Sequence, residues 1–469
     1  TQFIGFFAEF SGLIKDLSME SAYLSVNTGG LTYVGMLAGY ADRCTLQNVS
    51  VSGNIVQSNP ATTGSYTIGG LMGSASGNVY GINVDMDISV DTGLSASIGL
   101  AFGGISGTIM QSIVTGSITA VGDSLSIGGL SARIMNTLVK GNIVSVSVDA
   151  EAEAFGFGGI SDCADWGTIA LDNQIVSVLD AHSDNLDSGG VIGGVFAGGA
   201  GPIVEHNEVM FECDAAFGIM HAGGLMGTIT SGTGSTVGNL VGGSLSLAAM
   251  KSSGENWIGG LAGLLSGDVS ENLVDIDFSV DSAGVVSLGG ILGCAPGGGT
   301  VHENLFIGHF SVRLEKTLTP SAIGGIVGNA EGAVIENNIM DGILDVTSLS
   351  PDSVGGIAGN VTTSGLISAN LMSGSLSYAS EATVAGSIGA IAGHPFASEI
   401  SSNLFAGSVS VDVSNSGFIA DLIGDPTLAS CMNNWLAYDA LFTKNGNAIA
   451  LTGETADLAE LDSGSFYQD

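Results

Sequence analysis

The amino-acid sequence predicts an all-β fold: a single parallel β-solenoid of about 14 coils, with about 32 residues per coil and a short C-terminal closing segment. Three observations support this prediction. A glycine-rich phrase recurs along the chain, an asparagine-centred phrase follows each copy of it, and the residues after the asparagine phrase alternate between apolar and polar. Alternation with a period of two residues is typical of strands that are buried on one side.

The composition excludes a disordered chain and a collagen. Glycine accounts for 75 of the 469 residues, proline for only 7, and hydrophobic residues for 45%. Disordered chains lack the apolar residues that a core requires, and collagen needs glycine at every third position together with abundant proline. So much glycine also disfavours long helices. A strand-rich architecture remains.

The glycine phrase consists of an apolar residue, two glycines, a leucine or isoleucine, another apolar residue and a glycine. Its clearest copies occupy residues 68–73, 258–263, 323–328 and 354–359. Weaker copies complete a set of fourteen, and the first glycine of each copy serves as its marker. The markers are residues 5, 35, 69, 103, 128, 158, 193, 223, 259, 289, 324, 355, 389 and 420, the last of which is an alanine. The residues expected to shape the coil are Gly69, Gly70, Leu71, Gly259, Gly260, Leu261, Gly324, Gly325, Ile326, Gly355, Gly356 and Ile357.

Two apolar columns flank the markers. The residue before each marker and the residue two after it are apolar in all fourteen copies. On a flat strand, residues three apart would face opposite sides of the sheet. We therefore predict a corner at the glycine pair that turns both columns inward, since glycine tolerates positive φ and carries no side chain at a crowded bend. The columns include Ile4 and Phe7 in the first copy, Phe102 and Ile105 in the fourth, and Ile419 and Leu422 in the last.

The asparagine phrase predicts a second corner. Asn304, Asn370 and Asn403 are each followed by an apolar residue and, four places on, by a glycine. An asparagine amide at a fixed corner can bond to its counterpart one coil away and satisfy the turn backbone. We expect a ladder of such amides. A stack of antiparallel hairpins is the alternative architecture, and it is disfavoured because near-identical phrases stack on themselves in parallel coils.

Domain organisation follows from the repeat. Residues 1–433 form the predicted array of coils, with one architecture and no internal domain boundary. Residues 434–469, where the phrase decays, form the predicted closing segment, which we expect to continue into further chain.

The charge of the chain limits its partners. There are 45 Asp and Glu residues against 8 Lys and Arg, which gives a formal net charge of −37. Nucleic acid and anionic membrane surfaces both require a basic patch, so neither is expected as a partner, and no apolar stretch is long enough for membrane insertion.

The five cysteines predict neither a metal site nor a disulfide framework. Their spacings match no metal-binding or redox motif. Cys163 and Cys213 stand in successive copies at different phases, which is too far apart for bridging. We therefore expect no intrachain disulfide.

The Gly-Gly-Leu-apolar-Gly phrase resembles the GLUG repeat of large secreted and cell-surface bacterial proteins, which include adhesin-like proteins and segments of immunoglobulin A1-cleaving metallopeptidases. The resemblance covers nearly the whole chain and implies an extracellular location, without catalytic residues in the repeats. The His-Glu-x-x-His zinc motif of the peptidase is absent, since neither His206 nor His302 has a second histidine at the required spacing.

Outward positions supply the remaining candidates for binding. Asp85 with Asp87, and Asp275 with Asp277, stand at i and i+2 in alternating stretches, so both carboxylates of a pair face solvent. They are the candidates for a loose Ca²⁺ site, with a merely solvated face as the favoured alternative. No other cofactor is expected. Small hydroxyl residues at equivalent outward positions predict broken files along one face: Ser117, Thr119, Ser244, Ser246, Ser375, Ser377, Ser408 and Ser410.

The sequence therefore favours a non-catalytic extracellular structural protein over an enzyme. The first hypothesis is a rigid acidic stalk or adhesin segment at a bacterial cell surface, whose partners are neighbouring domains of a larger protein and a ligand that the sequence does not identify. The alternative is a filament subunit that assembles with itself through solenoid ends or sides. A polysaccharide-active β-helix enzyme is a distant third, because such sites need clustered carboxylates with basic neighbours.

Overall fold

The structure is a computed structural model that describes residues 1–58, 64–165, 167–185, 188–251, 254–315, 319–350, 352–382, 386–414, 419–425, 428–437, 440–449 and 454–456. The chain divides into two compact units, Thr1–Met250 and Lys251–Asp469. In the described part of the chain, both units consist of strands without helices. Each unit is a parallel β-solenoid, and together they contain about 13 turns about 32 residues apart, which confirms the predicted fold class.

Every coil has three facets. The first facet runs up to the glycine pair, the second runs from the glycine corner to the asparagine corner, and the third begins at the ladder asparagine. Each strand pairs in parallel with the equivalent strand of the next coil, as Val34, Ile68 and Ile98 do in successive first-facet strands. The prediction of parallel coils rather than antiparallel hairpins is therefore confirmed.

The strand bounds follow this order. First-facet strands are Gln2–Ile4, Gly30–Gly35, Gly64–Gly69, Ser95–Gly99, Gly189–Gly193 and Ile219–Gly223 in the first unit, and Glu255–Gly259, Val285–Gly289, Ala322–Gly324, Ser353–Gly355 and Ile419–Ile423 in the second. Second-facet strands are Met72–Tyr80, Phe102–Met110, Ser131–Lys140, Ser161–Ala164, Ile169–Leu171, Phe196–Ala200, Ile203–Glu205 and Met226–Val237, and then Ala262–Ser270, Leu292–Ala295, Thr300–His302, Val327–Glu331, Val334–Glu336, Ala358–Thr362, Leu366–Ser368 and Leu428–Met432.

Third-facet strands are Asn83–Asp91, Gln174–His182, Glu208–Phe217 and Leu240–Ala249, and then Leu273–Ser282, Leu305–Phe306, His309–Leu314, Ile339–Met340, Ile343–Ser348, Leu371–Met372, Ser375–Ser380, Leu404–Phe405, Ser408–Val413, Trp435–Ala437 and Leu441–Lys444. Five strands continue around a corner: Phe7–Val26, Ala38–Gln57, Ile113–Gly128, Ile143–Gly158 and Ser387–Ser401. Two short strands, Asn447–Ala448 and Glu454–Ala456, complete the set, and the first of them pairs with Thr443 and Lys444 in an antiparallel hairpin.

The glycine corner is confirmed, but only half of the predicted reason for it holds. The backbone bends at Gly70 and Leu71, and the amide of Leu71 donates to the Ala101 carbonyl of the next coil at 2.9 Å. A Cβ on Gly69 would lie 2.7 Å from the Cα of Phe102, too close for any other residue. The φ angles of Gly69 and Gly70 are not positive. Close backbone approach, not positive φ, therefore requires glycine here.

Both apolar columns point into the core, as predicted. Ile68 and Leu71 in the first unit and Ile258 and Leu261 in the second are 0% exposed. The first coil is the exception, because Ile4 is half-buried and Phe7 is 38% exposed. Phe7 pairs with Ala38 on one side only, so part of its surface stays uncovered.

The predicted marker at residue 103 is wrong by four residues. Gly99 pairs with Gly69 and with Gly128, and Phe102 pairs with Met72. Phe102 and Ile105 are buried, but they belong to the second facet. The error arose because a leucine replaces the second glycine of the true corner, while the pair at 103 and 104 mimics one.

The predicted marker at Ala420 is wrong by one residue. Ala420 pairs with Ile388, and Asp421 takes the place of Gly389. A register shift follows, and Leu422 still reaches the core at 2% exposure.

The asparagine ladder is confirmed for the three examples, Asn304, Asn370 and Asn403. It does not follow every glycine phrase as predicted, because Ile82 and Ser112 stand at this position in two coils of the first unit. Asn304 donates from Nδ2 to Oδ1 of Asn338 at 3.0 Å, and its backbone amide donates to the same oxygen at 3.1 Å. Asn304 also donates to the carbonyl of Val269 in the preceding coil at 2.9 Å. The members are Asn142, Asn173, Asn207 and Asn239 in the first unit, and Asn272, Asn304, Asn338, Asn370, Asn403 and Asn434 in the second.

A left-handed residue precedes each ladder asparagine. Gly141 does so with φ 63°, Asp172 with φ 55°, Glu303 with φ 57° and Ala369 with φ 54°. Positive φ is rare in residues other than glycine and costs conformational energy. The hydrogen bonds of the buried amide help to offset that cost. The turn itself does not require asparagine, because Gly81 (φ 59°) and Gln111 (φ 52°) precede Ile82 and Ser112 at the same position in earlier coils.

Candidate functional site

The predicted Ca²⁺ candidates lie on the third facet, with one pair in each unit. Asp85, Asp87, Asp275 and Asp277 are all exposed, as the alternation predicted. Asp85 accepts a hydrogen bond from Thr115 Oγ1 at 3.1 Å, and Asp87 accepts one from the hydroxyl of the next coil's serine at 2.6 Å. Within the described residues, no three or more His, Cys, Asp or Glu side chains converge as a metal site would require.

The predicted hydroxyl files are real but short. Ser375 pairs with Ser408, and Ser377 pairs with Ser410, so two adjacent coils of the second unit carry matched serines. The preceding coil places Ile343 at the first of these positions, and a carboxylate at the second. In the first unit, Ser117 pairs with Ser147.

Asp162 carries a half-buried carboxylate on the second facet. It follows the first residue of strand Ser161–Ala164. Coils on either side have Ala132 and Ala197 at the equivalent position, and most coils have glycine there. Space for the longer side chain comes from Gly156, because a Cβ on that glycine would overlap the Asp162 carboxylate.

The surroundings of Asp162 raise its pKa. Burial raises the pKa of Asp162 to about 6, while the Ser126 hydroxyl, which donates to Oδ2, and the Arg133 guanidinium act in the opposite direction. The Arg133 side chain itself pairs with Asp165 at 3.2 Å. A groove of about 440 Å³ opens beside the carboxylate, and Val191 and His221 form part of its wall.

A second aspartate, Asp352, is buried inside a hydrogen-bond network. It accepts from the backbone amide of Ser321 at 3.1 Å and from the Tyr378 hydroxyl at 3.2 Å. Burial raises the pKa of Asp352 to about 6 and raises the pKa of Tyr378 above its ordinary value. Ser321 in turn accepts from the amide of Val286, so this network ties the first facets of three coils together.

An acidic groove of about 420 Å³ lies where the third facet of the first unit meets the next first facet. Its carboxylates are Asp91, Asp123, Glu151, Glu153 and Asp184. They come from four consecutive coils and raise the negative potential along this edge.

Sequence reasoning missed Asp162 and Asp352. The sequence does carry a signal at position 162. Asp162 replaces a glycine of the repeat, and Gly156, six residues earlier, is a glycine that most coils lack at its position. The pairing of these two substitutions becomes visible only when the register is known.

Comparison with known proteins yields no relatives. No protein family, no curated protein and no solved structure matches the chain. The resemblance to GLUG repeats therefore depends on the repeated phrase alone. In the described residues, no helix has the length and apolar character that crossing a membrane would require.

Proposed function

We propose that the chain is a non-catalytic structural protein of the bacterial cell surface, a stalk or adhesin segment built from stacked coils. One observation carries the proposal: the side chains that recur from coil to coil are engaged in building the coil. The amide of Asn338 bonds to Val301, Glu336 and Asn370, which leaves it no free hydrogen for a ligand. The corner glycines carry no functional group.

Charge and repeat type are consistent with this proposal. The net charge of −37 favours solubility through mutual repulsion, and trypsin-like proteases would find only 8 Lys and Arg residues. The repeat phrase resembles that of secreted and cell-surface arrays. A location outside the cell is therefore part of the proposal.

Immunogold electron microscopy of the cells that produce the protein tests the proposal. Antibodies raised against the chain should label the outer surface, and label at the ends of surface projections would support a stalk. Label confined to the cell interior would overturn the proposal. Continuous labelled filaments would favour the self-assembling subunit instead.

A separate assay tests the absence of catalysis. The purified chain should cleave neither acidic nor neutral polysaccharides at enzymatic rates. A measurable rate that disappears on replacing Asp162 by Asn would overturn the non-catalytic role.

A further inference from the structure

The third facet of the first unit exposes large apolar side chains in its middle. Val176, Val178 and Met210 are 48%, 43% and 49% exposed, although their strand neighbours at alternate positions fill the core. Val176 pairs directly with Met210 of the next coil. Ile113, Ile143 and Leu240 are 44%, 45% and 46% exposed and stand in the neighbouring column, two residues earlier on their strands. In that column Gln174 and Glu208 lie between Ile143 and Leu240.

This stripe contributes little to the fold of the coil. Its members point away from the core, which is filled at the same strands by Val144, Ile175 and Val209. Polar residues occupy the equivalent positions in other coils. Asp85 and Thr115, for example, stand in the same column as Val176 and Met210. An exposed apolar patch with a polar rim marks an interaction site in soluble proteins.

A file of carboxylates borders the stripe. Asp149, Asp180 and Asp214 stack in direct register on three successive strands, and all three are exposed. Like charges placed directly opposite each other destabilise a sheet. Within the described residues, the Nδ1 atom of His182 lies 4.0 Å from Oδ1 of Asp180. The strands of this facet, residues 83–91, 113–128, 143–158, 174–182, 208–217 and 240–249, contain no Lys or Arg.

We propose that this facet docks a protein partner that presents an apolar strip beside Lys and Arg side chains. Val176, Val178 and Met210 supply the apolar contact, and the aspartate file selects a basic partner by charge complementarity. A second copy of the chain is a poor occupant, because it would bring the same carboxylates against this file. The inference concerns a surface of the first unit and stands or falls separately from the cellular location proposed above.

Isothermal titration calorimetry with synthetic peptides tests this docking. The probe is an 18-residue amphipathic helix of Leu and Lys, compared with a peptide in which Ser replaces Leu and one in which Glu replaces Lys. The chain should bind the Leu/Lys peptide about tenfold more tightly than either comparison peptide, with a negative heat-capacity change from apolar burial. Equal binding of the Ser/Lys peptide would overturn the proposal, because it would show diffuse attraction to the net charge. Equal binding of the Leu/Glu peptide would overturn the role of the aspartate file.

Variants locate the site. The double variant V176S/M210S should weaken the Leu/Lys peptide about tenfold, and D180N/D214N should weaken it several-fold and reduce its salt dependence. Both changes are at exposed positions, and thermal unfolding midpoints no lower than that of the wild type would show that the coil persists. I343S, at a 46% exposed position in the second unit, is the matched control and should bind as the wild type does. Wild-type affinity in V176S/M210S would refute the assignment to this facet.

Discussion

The carboxylate of Asp162 fills the space beside the Cα of Gly156, where any other residue at 156 would place its Cβ. The two positions are in the same coil, and the aspartate would not fit beside a larger residue at 156. An aspartate replaces a small residue on the second facet, and a glycine on the adjoining first facet makes room for it.

Replacing Asp162 by Asn should stabilise the protein at neutral pH. The pKa of Asp162 is raised by burial to about 6, above its unfolded value. The stabilising contribution of the protonated carboxyl is therefore fully present below pH 4 and is lost as the pH rises through about 6. We expect the variant to be more stable than the wild type by about 1–3 kcal/mol at pH 7, and the difference to shrink towards pH 4.

Urea unfolding at several pH values measures this difference. Glu9→Gln, at an exposed position of the same unit opposite Tyr40, is the control and should change stability by less than about 0.5 kcal/mol. A wild type that matches or exceeds the Asp162→Asn variant at pH 7 would contradict the prediction.

Replacing Asn173 by Ala should break the ladder of the first unit. The change removes the oxygen that accepts from the amide and side chain of Asn142, both at 3.0 Å, and the donor to the Val139 carbonyl at 3.0 Å. Buried groups left without partners are costly, so we expect a loss of about 2–4 kcal/mol in the free energy of unfolding. The exposed Asn83 provides the control, and Asn83→Ala should cost less than about 0.5 kcal/mol. Equal effects of the two changes would show that the ladder is not stabilising.

Replacing Gly194 by Ala should destabilise the coil, whereas replacing Gly189 five residues earlier should not. A Cβ on Gly194 would lie 2.7 Å from Cγ1 of Val209 and closer still to the Gly224 carbonyl. A Cβ on Gly189 would meet nothing within 4 Å, and the φ angle of Gly189 is not positive. We expect a lowered thermal midpoint for the first variant, and for the second a change between zero and a gain of about 1 kcal/mol. Comparable midpoints would argue against close packing at the corner.

Thiol alkylation of the native protein should distinguish the five free cysteines. Cys431 is exposed, Cys163 is half-buried, and Cys44, Cys213 and Cys294 are buried. Burial raises the pKa of Cys44 to about 11 and that of Cys294 to about 12, so these thiols are poor nucleophiles. Mass spectrometry should show rapid modification at Cys431 and slow modification at the buried thiols until denaturant is added. A mass increase of two protons on reduction would instead reveal a disulfide.

The sequence by itself determined the coil. Backbone pairing between equivalent strands forces equivalent residues into the same environment, so Ile68, Leu71 and Asn304 could be assigned to core and corner from repetition alone. The predicted corner was wrong where one coil departs from the pattern, as at Gly99. The sequence alone does not show which of two nearby glycines pairs with the corner of the next coil.

Only the tertiary structure decided which outward residues act together. Asp162 and Gly156 belong to different facets, and Asp149, Asp180 and Asp214 are separated by 31 and 34 residues along the chain. The side chains on the outer surface are free of the constraint that repeats impose on the core, so their pattern is irregular in sequence. Their proximity depends on the register of successive coils, since a shift of one residue would turn each of them to the opposite face of the sheet.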